Sequence, residues 1–275
     1  MKKTVVMLLV AAAASLSLMS LFAAFSDVAD DPTFYFTRLI YTENGRRGFM
    51  GTMRKPPSEF ICPEFGGRAF FPRQGWGWAT DYPGGDCKFM GGIHRLTGIR
   101  VHPHPNVISI MDDDLFKFPF VYAVEVGGMY LSDREAGRLR EYLLRGGFLH
   151  VDDFWGLWQK ANFEAQMKKV FPDRQMVQLG LNHEIFHTFF DIDNVTQVPN
   201  VNNGCAGAPT WQSPDDKVPR IYGIADDTGR LMVAATYNSD LGDAWEYMDL
   251  ECYPEIYSGA AYRIGLNFMI YAMTH

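Results

Sequence analysis

Residues 143–158 constrain the fold of this chain more than any other segment. They read LLRGGFLHVDDFWGLW, which joins the end of a helix, a Gly-Gly turn, a short apolar strand and two adjacent acids. That order is typical of an open α/β sheet. Such sheets bind ligands just outside the carboxyl ends of their strands, so Asp152 and Asp153 lie where a binding site is expected.

The rest of the chain repeats this alternation of strands and helices. Ser132 and Glu135 form a capping-box pattern, which predicts a helix that ends at Gly146-Gly147. The turn sequence Asp226-Asp227-Thr228-Gly229 predicts a β-hairpin, so the sheet is expected to be mostly parallel with an antiparallel C-terminal portion. Strands are predicted at 33–41, 106–111, 119–126, 148–151, 176–179, 220–225 and 230–237, further helices at 86–96, 162–171 and 258–273, and a long loop at 44–78.

The first 26 residues differ in character from the remainder. Lys2 and Lys3 are followed by a stretch without charge that continues to Ser26. This layout is typical of an export signal, and the apolar run is also long enough to span a bilayer. We therefore expect residues 1–26 to be a signal peptide or a signal anchor. Residues 33–275 are expected to form one domain that is periplasmic, or anchored at the membrane only through the N-terminal segment.

Charge and cysteine spacing exclude several classes of function. The chain of 275 residues has a net charge of -7, which argues against nucleic acid as a partner. The absence of a Cys-x-x-Cys pair argues against a zinc ribbon or a thioredoxin-type redox site. The sequence leaves open whether the cysteines are free or paired in any of three ways; they are Cys62, Cys87, Cys205 and Cys252.

Acids and aromatic residues concentrate in segments that the predicted topology places near the strand ends. Carboxylates beside stacking rings suit polyhydroxylated ligands or cations, whereas solvated turn acids are the alternative interpretation. Strand alternation directs Asp152 and Asp153 to opposite faces, and either one could act as an acid or base or simply cap a helix. The residues predicted to line a strand-end cleft are Asp81, Tyr82, Asp86, Asp152, Asp153, Trp155, His183, His187, Asp243, Trp245 and Arg263.

The segment His183-Glu184-Ile185-Phe186-His187 matches the His-Glu-x-x-His pattern of zinc proteases. That chemistry needs both histidines inside one long helix, but Asn182 has the character of a helix N-cap, so a helix would begin at the first ligand. No third ligand follows at the expected spacing. The alternatives are another metal site with a nearby Asp, or a hydrogen-bonded histidine pair that fixes a loop.

Arg263 lies four residues before Asn267 in the last predicted helix, which is otherwise apolar. A buried arginine is usually matched to a carboxylate. We therefore predict that Arg263 pairs with Asp152 or with an acid of the loops.

Several blocks together resemble one bacterial family, the domain of unknown function 4159. They are Trp78-Ala79-Thr80-Asp81-Tyr82-Pro83 and residues 143–156, 183–193, 240–246 and 262–275. The resemblance runs from about residue 33 to the end of the chain. Families of this kind are similar in fold to class I glutamine amidotransferases, which implies a flavodoxin-like three-layer sandwich. The Gly-x-Cys-x-Gly elbow of those enzymes has no counterpart here, so glutaminase activity is not expected.

The resemblance also affects the functional interpretation. Related sequences typically carry proline at the position of Glu184, which weakens the zinc-protease match. Some relatives occur near MoxR-type ATPases and von Willebrand A-like components, which implies a role in envelope complexes. We expect an exported domain without a cofactor that binds a small polar ligand, such as a saccharide, at the strand-end cleft. A hydrolase that uses the cleft acids, histidines or a metal, and an envelope scaffold with protein partners, stay open as alternatives.

Overall fold

A central β-sheet organises the computed structural model, which describes residues 33–43, 60–68 and 75–275. The predicted leader at 1–26 and much of the predicted loop at 44–78 lie outside the described residues. Seven strands form the sheet in the order β3-β1-β4-β6-β9-β8-β7, and β2 pairs with β5 beside it. The strands are β1 (Thr37–Ile40), β2 (Thr42–Glu43), β3 (Asn106–Ser109), β4 (Phe120–Val124), β5 (Met129–Tyr130), β6 (Phe148–Phe154), β7 (Val177–Gln178), β8 (Arg220–Ala225) and β9 (Leu231–Tyr237).

Strand pairing confirms the predicted mixture of directions. Strand β1 pairs in parallel with β3 and β4, β4 with β6, and β6 with β9. Strand β8 runs antiparallel to both β9 and β7, and β8 and β9 form the predicted hairpin. All strands of this sheet except β8 therefore point the same way, and their carboxyl ends share one edge, which we call the carboxyl edge.

Helices cover both faces of the sheet and give three layers. They are α1 (Gly84–Thr97), α2 (Asp133–Leu144), α3 (Gly156–Val170), α4 (Val201–Ala206), α5 (Leu241–Glu246) and α6 (Glu255–Thr274). Helices α1, α5 and α6 contribute to one core, whereas α2 and α3 contribute to the other. The capping box of Ser132 and Glu135 is confirmed at the start of α2. Within the described residues, no helix is both long and apolar enough to cross a bilayer.

Helix α3 begins six residues earlier than the sequence pattern predicts. Leu157 and Trp158 in its first turn are exposed, so the apolar period does not mark this end of the helix. Tertiary contacts hold the first turn instead. The Gly156 N–H donates to Asn238 Oδ1 at 3.0 Å, and the Trp155 N–H donates to Gln159 Oε1 at 2.7 Å.

Strand β6 shows why its sequence is almost continuously apolar. Phe148 belongs to the core under α6, whereas Leu149 and Val151 belong to the core under α2 and α3. Both faces of the strand are buried, as is usual for a central parallel strand. Burial lowers the pKa of His150 on this strand to about 3, so its imidazole is neutral.

Two disulfides settle the pairing that the sequence leaves open. Cys62 bonds to Cys87 and so joins the segment 60–68 to α1. Cys205 bonds to Cys252 and joins α4 to the loop that precedes α6. In the chain-entropy view, each cross-link stabilises the fold by about 3–4 kcal/mol, because it restricts the unfolded chain.

A buried ion pair fixes α1 against the sheet. Arg38 of β1 forms hydrogen bonds through two guanidinium nitrogens with Asp86, and both side chains are inaccessible to solvent. A third nitrogen, Nη1, donates to the carbonyls of Trp78 and Thr80. Asp86, predicted as a cleft residue, is therefore the partner of a strand arginine, and the same arginine holds the turn before α1.

We expect Arg38→Met to lower the free energy of unfolding by about 3–5 kcal/mol, because it leaves the Asp86 carboxylate buried and unpaired. The double variant Arg38→Met/Asp86→Leu should recover part of that loss, since no buried charge remains. Urea denaturation followed by circular dichroism measures both. Arg145→Met is the control, because its partner Glu141 is solvent-accessible and such pairs contribute less than about 1 kcal/mol. Strictly additive losses in the double variant would contradict this account.

Candidate functional site

Three buried aspartates converge at the carboxyl edge. Asp81 precedes α1, Asp240 follows β9, and Asp243 lies in α5. Each offers a carboxylate oxygen, and these oxygens all lie within 4.8 Å of one another. We call Asp81, Asp240 and Asp243 the acid cluster. Of its members, Asp81 and Asp243 are among the predicted cleft residues, and the fold brings their carboxylates close together.

Further acids surround the acid cluster. Asp153 lies near the end of β6, and Glu125 follows the last residue of β4. The Glu43 and Asp243 carboxylates both add to the effect of burial on the pKa of Glu125, and Glu125 adds in the same way to that of Asp153. Glu43, Glu125 and Glu246 are half-buried, whereas the aspartates are buried. We call these three glutamates the rim glutamates.

Left-handed backbone conformations are concentrated at the same edge. Asp81, Glu125, Asp153 and Asn238 have φ angles of 60°, 58°, 52° and 55°, and they are the only non-glycine residues with positive φ in the described ranges. Each costs roughly 1 kcal/mol or more, so the surrounding structure must enforce it. Such strain is typical of functional sites, and here it directs three acids toward one place.

Asp152 holds together the strands and the helix that carry the site. Its Oδ2 accepts hydrogen bonds from the Tyr122 hydroxyl at 2.8 Å and from the N–H groups of Leu241 and Gly242 at 2.8 and 3.1 Å. Its Oδ1 accepts from the Thr236 hydroxyl at 2.5 Å. The side chain caps α5, a helix distant in sequence, rather than the helix that follows β6. Burial raises the pKa of Asp152 to about 6, although these hydrogen bonds oppose the shift.

The neighbouring Asp153 is held differently. Its Oδ1 accepts a hydrogen bond of 2.5 Å from the indole N–H of Trp155. Burial raises the pKa of Asp153 well above its usual range, and the Glu125 and Asp152 carboxylates add to this effect. Asp153 therefore lies near Glu125, while Asp152 binds the start of α5.

Backbone contacts position two members of the acid cluster, Asp240 and Asp243. Asp240 Oδ1 accepts from the Asp243 N–H at 2.9 Å, which makes Asp240 the N-cap of α5. Asp243 Oδ2 accepts from the Val201 N–H at 2.7 Å at the start of α4. A methyl group placed on Gly242 would lie only 2.2 Å from Asp81 Oδ2, so a glycine is required for Asp81 to approach α5.

The acid cluster carries more negative charge than nearby cations balance. Burial raises the pKa of Asp240 well above its usual range, and every other large contribution comes from a carboxylate, with Asp153 and Asp243 first. Burial likewise raises the pKa of Asp81, where Arg38 opposes the shift. Arg38, however, is already paired with Asp86. Asp81 Oδ2 is buried and has no hydrogen-bond partner in the described parts of the chain.

The other predicted aromatic residues are structural. Trp245 stacks on Phe89 with ring centroids 4.2 Å apart and belongs to the core between α1, α5 and the sheet. Tyr82 is buried and its ring lies 5.6 Å from the Arg38 guanidinium carbon. Tyr82 follows Asp81 directly and Trp245 lies two residues after Asp243, so burial of the two rings holds the segments that carry these acids.

The two histidines lie elsewhere, so their predicted place in the cleft is wrong. They flank a single 3-10 turn, Glu184–Phe186, instead of sharing a long helix. His187 forms hydrogen bonds with Asp191 at 2.9 Å and with the Leu181 carbonyl at 2.8 Å, and these bonds raise its pKa. The His183 ring lies 6.4 Å from that of Tyr271, whose hydroxyl binds the N–H of Leu231 at the amino end of β9. The histidines therefore fix a loop at the opposite edge of the sheet.

The prediction for Arg263 is also wrong. Its side chain is exposed and forms no ion pair with any residue that the structure describes, and its guanidinium carbon lies 5.8 Å from the Phe190 ring centre. Arg263 lines a separate cavity of about 490 Å³ between α6 and the segment 191–196. Asn267 of this helix is buried instead, and its side-chain N–H groups donate to the carbonyls of Ile185 and Phe190.

Sequence reasoning missed several contributors to the site. Glu125 directly follows the end of β4, so the rule that points to Asp152 would also have selected it. Arg38 stands alone as a charge within an apolar strand, which is a recognisable sign of a buried ion pair. No local pattern in the sequence marks Glu43 as a site residue, because only the pairing of β2 with β5 brings it near the carboxyl edge.

Comparison with known proteins gives a family but no activity. The family described as a domain of unknown function (DUF4159) matches residues 72–273. The chain belongs to this family. The match includes all three residues of the acid cluster, whereas Arg38 and Glu43 precede it. No curated protein matches the chain.

The raised pKa values predict how stability depends on pH. Burial raises the pKa of Glu125 and of Glu246 to about 7 each. A carboxyl group with a raised pKa in the folded state contributes stability that is complete below its ordinary value of about 4.3 and is lost as pH rises through the folded value. We therefore expect the melting temperature to fall between pH 5 and pH 8 as these groups ionise. The measurement is made with a chelator, so that no metal ion from the buffer neutralises the carboxylates.

Differential scanning fluorimetry across this range tests the expectation. Glu125→Gln should flatten the fall, because it removes one group that must ionise. Glu141→Gln, on the exposed face of α2, is the matched control and should leave the slope unchanged. A melting temperature that rises over the same range in the unmodified protein would contradict the assignment.

Proposed function

We propose that the acid cluster binds a hard divalent cation such as Ca²⁺, and that this cation forms the floor of a binding site for a small polar ligand. The observation that carries the proposal is the convergence of three buried carboxylates, one of which has a buried oxygen without a hydrogen-bond donor. Two oxygens bound to the same Ca²⁺ at 2.3–2.6 Å are at most about 5 Å apart. The spacing of the acid cluster fits that limit.

Electrostatics support a cation at this position. Burying several carboxylates without a counter-charge is costly, and protonation or cation binding relieves the cost. A cation would bind Asp81 Oδ2 in place of the hydrogen-bond donor that this oxygen lacks. It would also lower the pKa of each aspartate in contact with it. The rim glutamates are half-buried, whereas the aspartates are buried, so the rim glutamates are the more accessible acids of the site. Positions on the ion that protein oxygens leave open would accept water or ligand oxygens.

Calorimetry on the purified, chelator-treated full chain tests this proposal. We expect one equivalent of Ca²⁺, Mg²⁺ or Mn²⁺ to bind near pH 7.5, with affinity that falls toward pH 5 because protons compete for the same oxygens. Asp243→Asn and Asp81→Asn should each weaken binding by at least about tenfold, since each removes a charged ligand. Asp193→Asn, an exposed acid of the segment 191–196, is the control. Absence of binding by all three ions, or unchanged affinity in both cluster variants, would refute it.

We also propose that the protein is exported and that its sandwich is of the flavodoxin-like, amidotransferase-like kind. All four cysteines form disulfides, and such bonds persist in oxidising compartments outside the cytoplasm. Residues 1–26 begin with two lysines and continue as an uncharged, largely apolar stretch, and this order supports the same compartment. Hydrolysis and an envelope-scaffold role stay predictions from the sequence.

Cell fractionation tests the location. The full chain with a C-terminal tag should appear in the periplasmic or the membrane fraction, with disulfides detected by a mobility change on reduction. Release by osmotic shock would indicate cleavage, whereas retention with membranes would indicate an anchor. A chain that begins at residue 33 is the control and should stay in the cytoplasm. Recovery of the full chain from the cytoplasm with reduced cysteines would contradict export.

A further inference from the structure

Two tryptophans project into solvent at the carboxyl edge. Trp76 is 73% exposed and Trp158 is 67% exposed, whereas Trp78, Trp155 and Trp245 are buried. Exposed indole rings are unfavourable in water, and tryptophan is usually among the most extensively buried residues. Neither exposed ring contributes to the cores on the two faces of the sheet.

Contacts around Glu43 bring together the two segments that carry these tryptophans. A methyl group on Gly77, next to Trp76, would lie 2.8 Å from Glu43 Oε2, and one on Gly128 would lie 2.7 Å from Glu43 Oε1. The Gln159 side chain, next to Trp158, would lie 2.5 Å from a methyl group on Gly127. The segments that carry the two rings are therefore linked through one rim glutamate and the turn that follows β4.

The chemistry of this edge points to a carbohydrate. Indole faces pack against the C–H face of a sugar ring, and carboxylates accept hydrogen bonds from its hydroxyl groups. Two rings from separate segments suit a chain of sugar units better than a single sugar. The net charge of -7 and the rim glutamates repel an anionic polymer, which favours a neutral one.

We propose that Trp76, Trp158 and the rim glutamates bind a neutral carbohydrate chain, whose hydroxyl oxygens complete the coordination of the cation in the acid cluster. This inference rests on the proposed cation site and adds the class of ligand. Sugar rings stack on the two tryptophans, and the cation binds a pair of hydroxyl groups of the same carbohydrate chain. Without the cation, the surplus of carboxylates leaves the hydroxyl oxygens of the ligand without an electropositive partner.

Affinity gel electrophoresis of the full chain tests the inference. The gels contain dextran, galactomannan or xyloglucan as neutral polymers and polygalacturonate as the anionic one, with Ca²⁺ or with a chelator. We expect at least one neutral polymer to retard the protein in Ca²⁺ and to lose most of that effect in the chelator. Trp76→Ala and Trp158→Ala should each weaken binding by about tenfold, and the double variant by more. Leu96→Ala, an exposed apolar residue at the far end of α1, should change nothing.

The outcomes separate this inference from the cation proposal. A protein that binds Ca²⁺ in calorimetry but is not retarded by any neutral polymer overturns the carbohydrate inference and leaves the cation site standing. Retardation by polygalacturonate alone overturns it as well. Retardation that persists in chelator and in Asp243→Asn shows that the cation has no part in binding, which overturns the inference as stated. Circular dichroism confirms that each tryptophan variant is folded.

Discussion

The hydrogen bonds of the Asp152 carboxylate connect most of the elements on which the candidate site depends. This side chain belongs to β6 and binds the Tyr122 hydroxyl of β4, the Thr236 hydroxyl of β9 and two N–H groups of α5. One buried acid therefore fixes three adjacent strands relative to the helix that carries Asp243. Charge-assisted hydrogen bonds of this kind are stronger than neutral ones, and losing them would leave several buried donors unpaired.

Stability and site geometry oppose each other at this edge. The acids are buried close together, and three of them adopt left-handed backbone conformations that are unfavourable for residues other than glycine. The rest of the fold compensates through two well-packed cores, the Arg38–Asp86 ion pair and two disulfides. The disulfides hold α1 and α4, and α4 contributes the N–H group that binds Asp243. A rigid frame thus maintains a cluster of charges that would otherwise separate.

Local patterns predicted the fold better than the site. The alternation of strands and helices, the capping box of α2 and the hairpin are confirmed, because burial periodicity and turn chemistry are encoded within a few residues. The start of α3 was missed, since exposed Leu157 and Trp158 hide it and Asn238 supplies the contact that fixes it. The histidine motif failed for the related reason that a five-residue match carries no information about whether a long helix surrounds it.

The sequence by itself determined that the chain forms a mostly parallel α/β sheet and that acids follow several strands at one edge. Both results depend on order along the chain, and parallel strands necessarily place their carboxyl ends together. Only the tertiary structure decided which acids meet. The strand order places β4, β6 and β9 side by side, and a turn held by Arg38 brings Asp81 to Asp240 and Asp243. Contacts between residues so distant in sequence arise from packing and burial, which no local pattern specifies.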